Sequence, residues 1–309
     1  MYSVRLPFQT WSKLGKLGRR EALACYLFIL PWLLGFLLWQ LGPMLASLYL
    51  SFTRYSIAKP PVWIGGRNYI EIFGDEIFWQ SLKVTFLYTA GAVPLGVMGA
   101  LFVATLMYQK IPGRSFWRTL YYLPTVTSGV AVALLWAWVF QPQFGLVNAA
   151  LWQLLGVKGP DWFFSETWVL PAFIIMSLWG VGGPMLIYLA GMQGVPTDLY
   201  EAADLDGANG IQKYVHITIP MITPVILFNA IMSIIGSFQV FVSAYVITQG
   251  GPNYGSFFYV LYLYRNAFQF FRMGFASGLA WILFLIVLCF TVLTLRSSRS
   301  WVYYAGQNG

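Results

Sequence analysis

Residues 201–220 read EAADLDGANGIQKYVHITIP and separate two long apolar runs in the second half of the chain. The stretch opens with Glu201-Ala202-Ala203, places Gly207 after three further residues, and closes nine residues later with Ile217-Thr218-Ile219-Pro220. A spacing that fixes several positions over such a length is far more specific than a three-residue motif. The pattern predicts a short surface helix of small and acidic residues that ends at the glycine.

The composition excludes a soluble globular domain. The chain has 309 residues, of which 59% are hydrophobic and 9% are charged, whereas soluble domains carry about 25% charged residues. Such a chain cannot cover itself with a solvated surface, so we predict an integral membrane protein. The net charge of +8 does not indicate nucleic-acid binding, because most Lys and Arg residues lie beside apolar segments, where they set topology.

Six apolar segments are long enough to cross the bilayer as helices, which takes about 20 residues each. Their apolarity is continuous and does not alternate, which excludes a β-barrel and predicts an all-α integral membrane protein. The predicted crossings are 23–51, 84–107, 119–140, 168–191, 222–247 and 275–295. The chain thus divides into an N-terminal tail at 1–22, a first transmembrane helix at 23–51, a five-helix core at 82–296 with the polar loop at 196–220, and a C-terminal tail at 297–309.

The basic residues predict that both termini are cytoplasmic, because short cytoplasmic loops carry an excess of Lys and Arg. Most of these basic residues lie in three places: the N-terminal tail, the loop between the second and third crossings, and the C-terminus. They are Arg5, Lys13, Lys16, Arg19, Arg20, Lys110, Arg114, Arg118, Arg296 and Arg299. With six crossings, the loop at 196–220 faces the cytoplasm as well.

We expect two short helices within this loop. Asp198 is placed to cap the first, with Glu201 three residues later as its capping-box partner. Gly207 is placed to end that helix in the left-handed conformation, and Asn209-Gly210 extends the turn. A second helix is predicted at 211–217, before Pro220 redirects the chain into the fifth crossing.

The first of these helices has features suited to a partner surface. Ala202 and Ala203 are small enough to let it lie deep in a groove of another protein. Glu201, Asp204 and Asp206 form an acidic edge that either pairs with arginines on that partner or is a solvated face of the loop.

A polar stripe marks the fifth crossing. Asn229, Ser233 and Ser237 recur every four residues and therefore lie on one face of a helix. Such a stripe can hydrogen-bond the hydroxyls of a neutral solute, or it can join helices inside the bundle, and the sequence leaves both interpretations open. The other candidate pathway residues are Gly236, Gly180, Met176 and Thr125.

The central thirds of the crossings contain essentially no ionisable residues, which is evidence against a proton-coupled transporter and against a charge-lined channel. A membrane enzyme would need a paired acid and base or a metal cluster, and the single histidine, His216, lies in the loop. No GxxxxGK[ST] phosphate loop occurs, so any ATP is bound by another protein. A helper subunit without a solute pathway remains an alternative that only the polar stripe argues against.

The spacing in 201–220 resembles the EAA loop of permeases from binding-protein-dependent ATP-binding cassette (ABC) importers, with Ile219 where that family usually has Leu. Further segments resemble sugar importer permeases, and the likeness covers most of residues 23–296. These segments are Leu30-Pro31, Gly42-Pro43 through Thr53, Leu123-Pro124 through Trp136, Gly145 through Asn148, Gly250-Gly251-Pro252, Tyr264 through Phe268, and Gly274 through Ser277. The chain is similar to the MalF-like (UgpA/LacF-type) subunits of the carbohydrate-uptake class.

This resemblance implies a type I ABC importer (MetI-like) permease fold in a prokaryotic inner membrane. It also implies a second permease subunit, two cytosolic ATPases that hold ATP and Mg, an extracytoplasmic solute-binding protein and a carbohydrate substrate. It implies no catalytic, cofactor or metal site on this chain and no nucleic-acid partner. The implied ATPase-coupling residues are Glu201, Ala202, Ala203, Asp206, Gly207, Ile217 and Pro220. The alternatives are a permease for another solute such as glycerol-3-phosphate, which the lack of Arg or Lys at depth disfavours, or a secondary transporter.

Overall fold

The computed structural model describes residues 15–109 and 111–303, without the side chain of Lys16. The predictions for Arg5, Lys13 and Lys110, and those for the first part of the N-terminal tail and the end of the C-terminal tail, lie outside the described residues.

Helices dominate the described part of the chain, and the strands in that part form one hairpin, as the all-α class predicts. Its first helices are α1 Lys16–Gly35, a π-helical stretch Phe36–Leu41, α2 Gly42–Ser51, α3 Arg67–Gly74, α4 Glu76–Tyr108, α5 Arg114–Val126, α6 Gly129–Val139, α7 Leu146–Leu155 and α8 Val169–Leu178. The next are α9 Gly182–Gln193, α10 Thr197–Leu205, α11 Gly210–Lys213, a π-helical stretch Tyr214–Thr218, α12 Ile219–Met221, α13 Thr223–Ser237, α14 Val242–Ile247, α15 Tyr259–Tyr264, a π-helical stretch Arg265–Gln269 and α16 Met273–Ser298. Strands β1 Thr53–Ser56 and β2 Lys59–Trp63 pair antiparallel.

Four helical segments of the described residues are each long and apolar enough to cross a membrane: Leu17–Ser51, Glu76–Tyr108, Thr223–Ile247 and Met273–Ser298. Two bent pairs of helices also qualify, and counting each pair as one crossing gives six. The described residues therefore hold four continuous crossings, and up to six if each bent pair crosses as one unit.

The prediction of one continuous helix at 119–140 is wrong. Helices α5 and α6 meet at 103°, because Thr127 and Ser128 between them have extended backbones with ψ of 140° and 134°. With 11 residues, α6 is about 16 Å long and cannot cross about 30 Å of hydrocarbon alone. Arg114 and Arg118 make the first turns of α5 polar, which suits a helix at the membrane surface.

The second break, between α8 and α9, bends the fourth crossing by 44°. It lies one turn before Pro184. Proline has no backbone N–H to donate, and its ring clashes with the backbone carbonyl of the residue four positions earlier in the helix. Gly182 lies against the backbone of α5 at this point, since a Cβ there would be 2.0 Å from the carbonyl oxygen of Tyr121. Any larger residue would separate α5 from α9.

Helix α4 is the axis around which the other helices pack. Its N-terminal half contributes Phe78, Val84 and Tyr88 to an aromatic cluster with residues of α6, α8, α15 and α16. Its C-terminal half contributes Ala100, Val103, Ala104 and Met107 to a second cluster with α9. In contrast, the continuous segment Leu17–Ser51 has almost no buried side chains, as expected of a helix that faces lipid.

The hairpin and α3 cover one end of this bundle. Asp75 caps α4 by accepting from the backbone N–H of Ile77 (2.8 Å), and it also accepts from the Tyr262 hydroxyl (2.5 Å). Burial and this hydrogen bond both raise the pKa of Tyr262. The contact fixes α15 to the start of α4 and so closes the end of the bundle that lies opposite the 196–220 loop.

Candidate functional site

The EAA loop, residues 196–220, is an ordered helical segment. Helix α10 begins at Thr197 after Pro196, and no side chain caps its N-terminus. The predicted capping box of Asp198 and Glu201 is therefore wrong, because the helix begins two residues earlier than predicted and Asp198 lies inside its first turn. In the first turn, the negative charge of Asp198 interacts favourably with the positive end of the helix dipole. The Glu201 side chain is exposed.

The predicted end of this helix matches the geometry at Gly207, which has a φ of +74°. The backbone N–H of Gly207 donates to the carbonyl of Asp204 (3.1 Å), and that of Ala208 donates to Ala203 (2.9 Å). This pair of bonds is the Schellman arrangement, which satisfies the last free carbonyls of a helix. A residue with a Cβ is strained at this φ.

The second helix begins earlier than predicted. Asn209 accepts from the N–H of Gln212 (2.9 Å) while the Gln212 side chain accepts from the N–H of Asn209 (2.7 Å), which is a full capping box. The Asn-x-x-Gln spacing is a local signal that could have located this start. The helix then runs on through the π-helical stretch and α12, so the expectation that Pro220 redirects the chain is wrong. The wider π turn accommodates the missing N–H of the proline.

One tyrosine hydroxyl joins two parts of the EAA loop, and a second joins the loop to the bundle. The hydroxyl of Tyr200 shares a hydrogen bond with Thr218 (2.8 Å), and that of Tyr214 shares one with Thr105 near the end of α4 (2.7 Å). Both rings pack against the buried cluster that contains Met107 and Met192. The loop is therefore joined to α4 by a hydrogen bond and packs against the cluster beside α9, and the sequence had not singled out these tyrosines.

The outward face of the EAA loop is apolar as well as acidic. Leu205 is 91% exposed and Ile211 is 76% exposed, and Val215 is exposed beside them. Of the predicted coupling residues, Glu201, Ala202, Asp206 and Gly207 share the exposed side, whereas Ala203, Ile217 and Pro220 are partly buried.

Asp204 is paired within the chain, since its Oδ1 lies 2.5 Å from Nζ of Lys213. This ion pair joins α10 to α11. The acidic edge available to another molecule is therefore reduced to Glu201 and Asp206.

The second candidate site is a polar pocket of about 180 Å³ in the middle of the bundle. Helix α13 contributes Ser233, Gly236 and Ser237, and Gly180 lies at the break between α8 and α9. The remaining lining residues are Tyr88, Ala92, Val93, Gly96, Ser177, Val181 and Pro184. Neutral hydroxyls and small residues line the pocket, with no carboxylate or cation.

The structure divides the predicted polar stripe. Asn229 is buried and donates from Nδ2 to the carbonyl of Val225 on its own helix (3.1 Å), so it lies outside the pocket. Met176 packs against the aromatic cluster, and Thr125 is exposed at the end of α5. Tyr88, Gly96 and Ser177 join the pocket without a signal in the sequence, because they come from helices distant along the chain.

Within the described residues, no group of three or more His, Cys, Asp or Glu side chains is arranged to hold a metal ion. The arrangement offers no acid, base or nucleophile beside the pocket. The pocket lining consists of hydroxyl groups, small residues and apolar residues.

Comparison with known proteins gives consistent matches. Residues 92–299 match the family model described as "Binding-protein-dependent transport system inner membrane component". The chain is 43% identical over 291 residues to the probable ABC transporter permease protein YesP of Bacillus subtilis, covering 93% of this chain and 94% of that protein. It is 33% identical to the sulfoquinovosyl glycerol transport system permease protein SmoG of Agrobacterium fabrum, covering 94% of each chain.

A solved structure shares the fold. A chain of a bacterial ABC transporter involved in the import of the acidic polysaccharide alginate superposes with a TM-score of 0.79 at 25% identity, covering 91% of this chain and 96% of that one.

Proposed function

Because the chain belongs to the family of inner membrane components of binding-protein-dependent transport systems, we propose that it lines the sugar pathway of an ATP-driven importer and is driven through the EAA loop. The chain is a transport subunit, and ATP with Mg is bound by partner ATPases in the cytosol. A second permease completes the pathway, and an external solute-binding protein delivers the solute.

One observation carries the proposal: the helices that line the polar pocket are those that hold the EAA loop. Helix α4 provides Gly96 to the pocket and Thr105 to the hydrogen bond with Tyr214, about 14 Å apart along the helix. Helix α9 starts at the pocket and ends in the cluster that seats Tyr200. A displacement of the loop therefore displaces the pocket walls as well.

We propose that the EAA loop and both termini lie in the cytoplasm. The backbone N–H of Tyr303 donates to Thr223 (2.9 Å), directly after the EAA loop, so the C-terminal segment lies at that end of the bundle. Arg118 donates to the carbonyl of Met107 (3.0 Å), which brings the basic start of α5 to the same end. The basic residues of both segments support the cytoplasmic assignment.

Carbohydrate is the proposed substrate class. The pocket presents hydroxyls without charge, which suits a neutral sugar better than glycerol-3-phosphate, since a phosphate in low dielectric needs a paired cation. One relative is named for the transport of sulfoquinovosyl glycerol, and a structural neighbour is involved in the import of the acidic polysaccharide alginate, so both are associated with carbohydrates. At about 180 Å³ the pocket is smaller than most ligand cavities, which start near 300 Å³, as expected if a second permease supplies the other wall.

The test is ATP hydrolysis by the purified complex in lipid, measured with its binding protein and a panel of solutes. Neutral oligosaccharides, acidic oligosaccharides and glycerol-3-phosphate form three arms. We expect stimulation by a neutral oligosaccharide. Stimulation only by an acidic oligosaccharide would overturn the neutral assignment while keeping the carbohydrate class. Stimulation only by glycerol-3-phosphate, or uptake that is independent of ATP, would overturn the proposal.

A further inference from the structure

A cleft of about 560 Å³ opens beside the β1–β2 hairpin, at the end of the bundle opposite the EAA loop. We call it the hairpin cleft. The hairpin forms one wall, α3 forms the second, and the segment that leads into α16 forms the third. Three aromatic rings, Phe270, Phe271 and Phe275, line the third wall.

The hairpin cleft concentrates positive charge. Arg54, Lys59, Arg67 and Arg272 line it together with one carboxylate, Glu71. Arg272 pairs with Glu71 and lies 4.1 Å from the centre of the Phe275 ring. Arg54, Lys59 and Arg67 form no ion pair within the described residues, so three cations are available to a ligand.

The walls are held rigidly. The Asn68 side chain donates to the carbonyls of Ser51 (2.7 Å) and Thr53 (2.9 Å), which fixes α3 to the base of the hairpin. Gly274 lies so close to the hairpin that a Cβ would be 2.1 Å from the carbonyl oxygen of Thr53. Because the backbone frame is fixed from two sides, the cleft exists without a ligand and loses little entropy when it binds one.

The hairpin cleft lies at the depth of lipid headgroups. Two apolar membrane-crossing segments stop at its edge, one ending at Ser51 and the other starting at Met273. With a rise of about 1.5 Å per helical residue, the lining residues next to these ends lie within a few ångströms of the hydrocarbon boundary. Trp63 beside it is 60% exposed, as expected of a tryptophan at the membrane interface, and Ile70 and Phe73 are exposed as well.

We propose that the hairpin cleft binds the phosphodiester headgroup of an anionic phospholipid from the surrounding leaflet. The unpaired guanidinium groups match phosphate oxygens in geometry and charge, and the aromatic wall is suited to the glycerol and upper acyl carbons. A free anion would use the cations but not the aromatic wall. The site is separate from the polar pocket, so the inference does not rest on the proposed solute.

The test is native mass spectrometry of the whole importer complex, purified with equimolar phosphatidylglycerol and phosphatidylcholine. We expect selective retention of phosphatidylglycerol by the wild-type complex. The double variant Arg54→Gln/Arg67→Gln should reduce its affinity roughly 30-fold, since each basic residue near a headgroup contributes about fivefold. The matched control Lys83→Gln/Lys158→Gln removes two exposed cations outside the cleft and should retain the lipid as wild type does.

Four outcomes would overturn the proposal. Equal retention of both lipids would show that the headgroup is not recognised. Unchanged retention in the Arg54/Arg67 variant would place the lipid elsewhere. Displacement of the lipid by millimolar inorganic phosphate would assign the cleft to a free anion. If the variant lost affinity for the binding protein while it still retained the lipid, the cleft would instead bind an acidic protein surface. Folding of the variant is checked by ATP hydrolysis in neutral lipid, which should match the control.

Discussion

The EAA loop is complete within one stretch of chain, whereas the polar pocket is assembled from helices far apart in sequence. The loop's helix ends, its ion pair and the Tyr200–Thr218 hydrogen bond lie within residues 196–220, and the Tyr214–Thr105 bond joins this segment to α4. The pocket requires α4, α13 and the break between α8 and α9 to meet. A docking surface can form from consecutive residues, but a solute pocket needs several helices that are distant in sequence. We therefore expect mutations in the two regions to reduce transport by different amounts.

The largest effect is expected from filling the pocket. A Cβ at Gly236 meets nothing within 4 Å, so Gly236→Leu places a side chain in open space and raises helix propensity. We expect uptake to fall to background while the complex assembles and keeps its basal ATP hydrolysis, measured in the same membranes.

Met232→Leu is the matched control, because Met232 is on the same helix and more than half exposed. It should transport as wild type does. If Gly236→Leu instead prevents assembly, the stripe on α13 packs against another subunit and is not part of a solute pathway.

A smaller effect is expected at the end of α10. Gly207→Val forces a β-branched residue into a φ of +74°, and such strain costs about 1–3 kcal/mol. We expect uptake and solute-stimulated ATP hydrolysis to fall together by roughly tenfold, because about 1.4 kcal/mol corresponds to a factor of ten.

Two further variants at the loop separate backbone strain from side-chain size. Gly207→Asn should recover much of the activity, since Asn tolerates the left-handed conformation. Gly210→Ala adds a methyl group where φ is ordinary and the space is open, and it should be neutral. Equal losses in Gly207→Asn and Gly207→Val would contradict a role for the backbone conformation.

The contrast between the two regions also explains what the sequence could predict. The left-handed conformation of Gly207 can be predicted from the spacing of nearby residues. The Asn209–Gln212 capping box is also a local signal, but the pair Asn209-Gly210 predicts a turn as well. The apolar segments follow from the length of the apolar runs, whereas the sharp turn between α5 and α6 depends on the extended backbones of Thr127 and Ser128, where the more polar α5 meets the apolar α6. The split of the stripe, with Asn229 outside and Ser233 inside the pocket, depends on how α4 and α9 pack against α13.

The smallest effect is expected at the ion pair between Asp204 and Lys213. An exposed pair of this kind contributes about 0.2–1 kcal/mol, so Asp204→Asn should reduce uptake less than about fivefold. The exchange Asp204→Lys/Lys213→Asp should restore part of the loss, and high salt should narrow the gap to wild type because it screens exposed charges. A loss as large as that of Gly207→Val would mean that Asp204 contacts the ATPase directly.

The central claim, that the EAA loop is the contact through which a partner's ATP hydrolysis moves the pocket, is tested most directly by photo-cross-linking. Cys25 and Cys289 are first replaced by Ser. A thiol-linked benzophenone is then attached to Ala202→Cys, on the exposed side of α10. The control position is Leu154→Cys on α7, where Leu154 is 81% exposed. The account predicts an adduct with the ATPase from position 202, with a yield that changes when ATP is added, and none from position 154. No adduct from position 202 in a complex that still transports would contradict it.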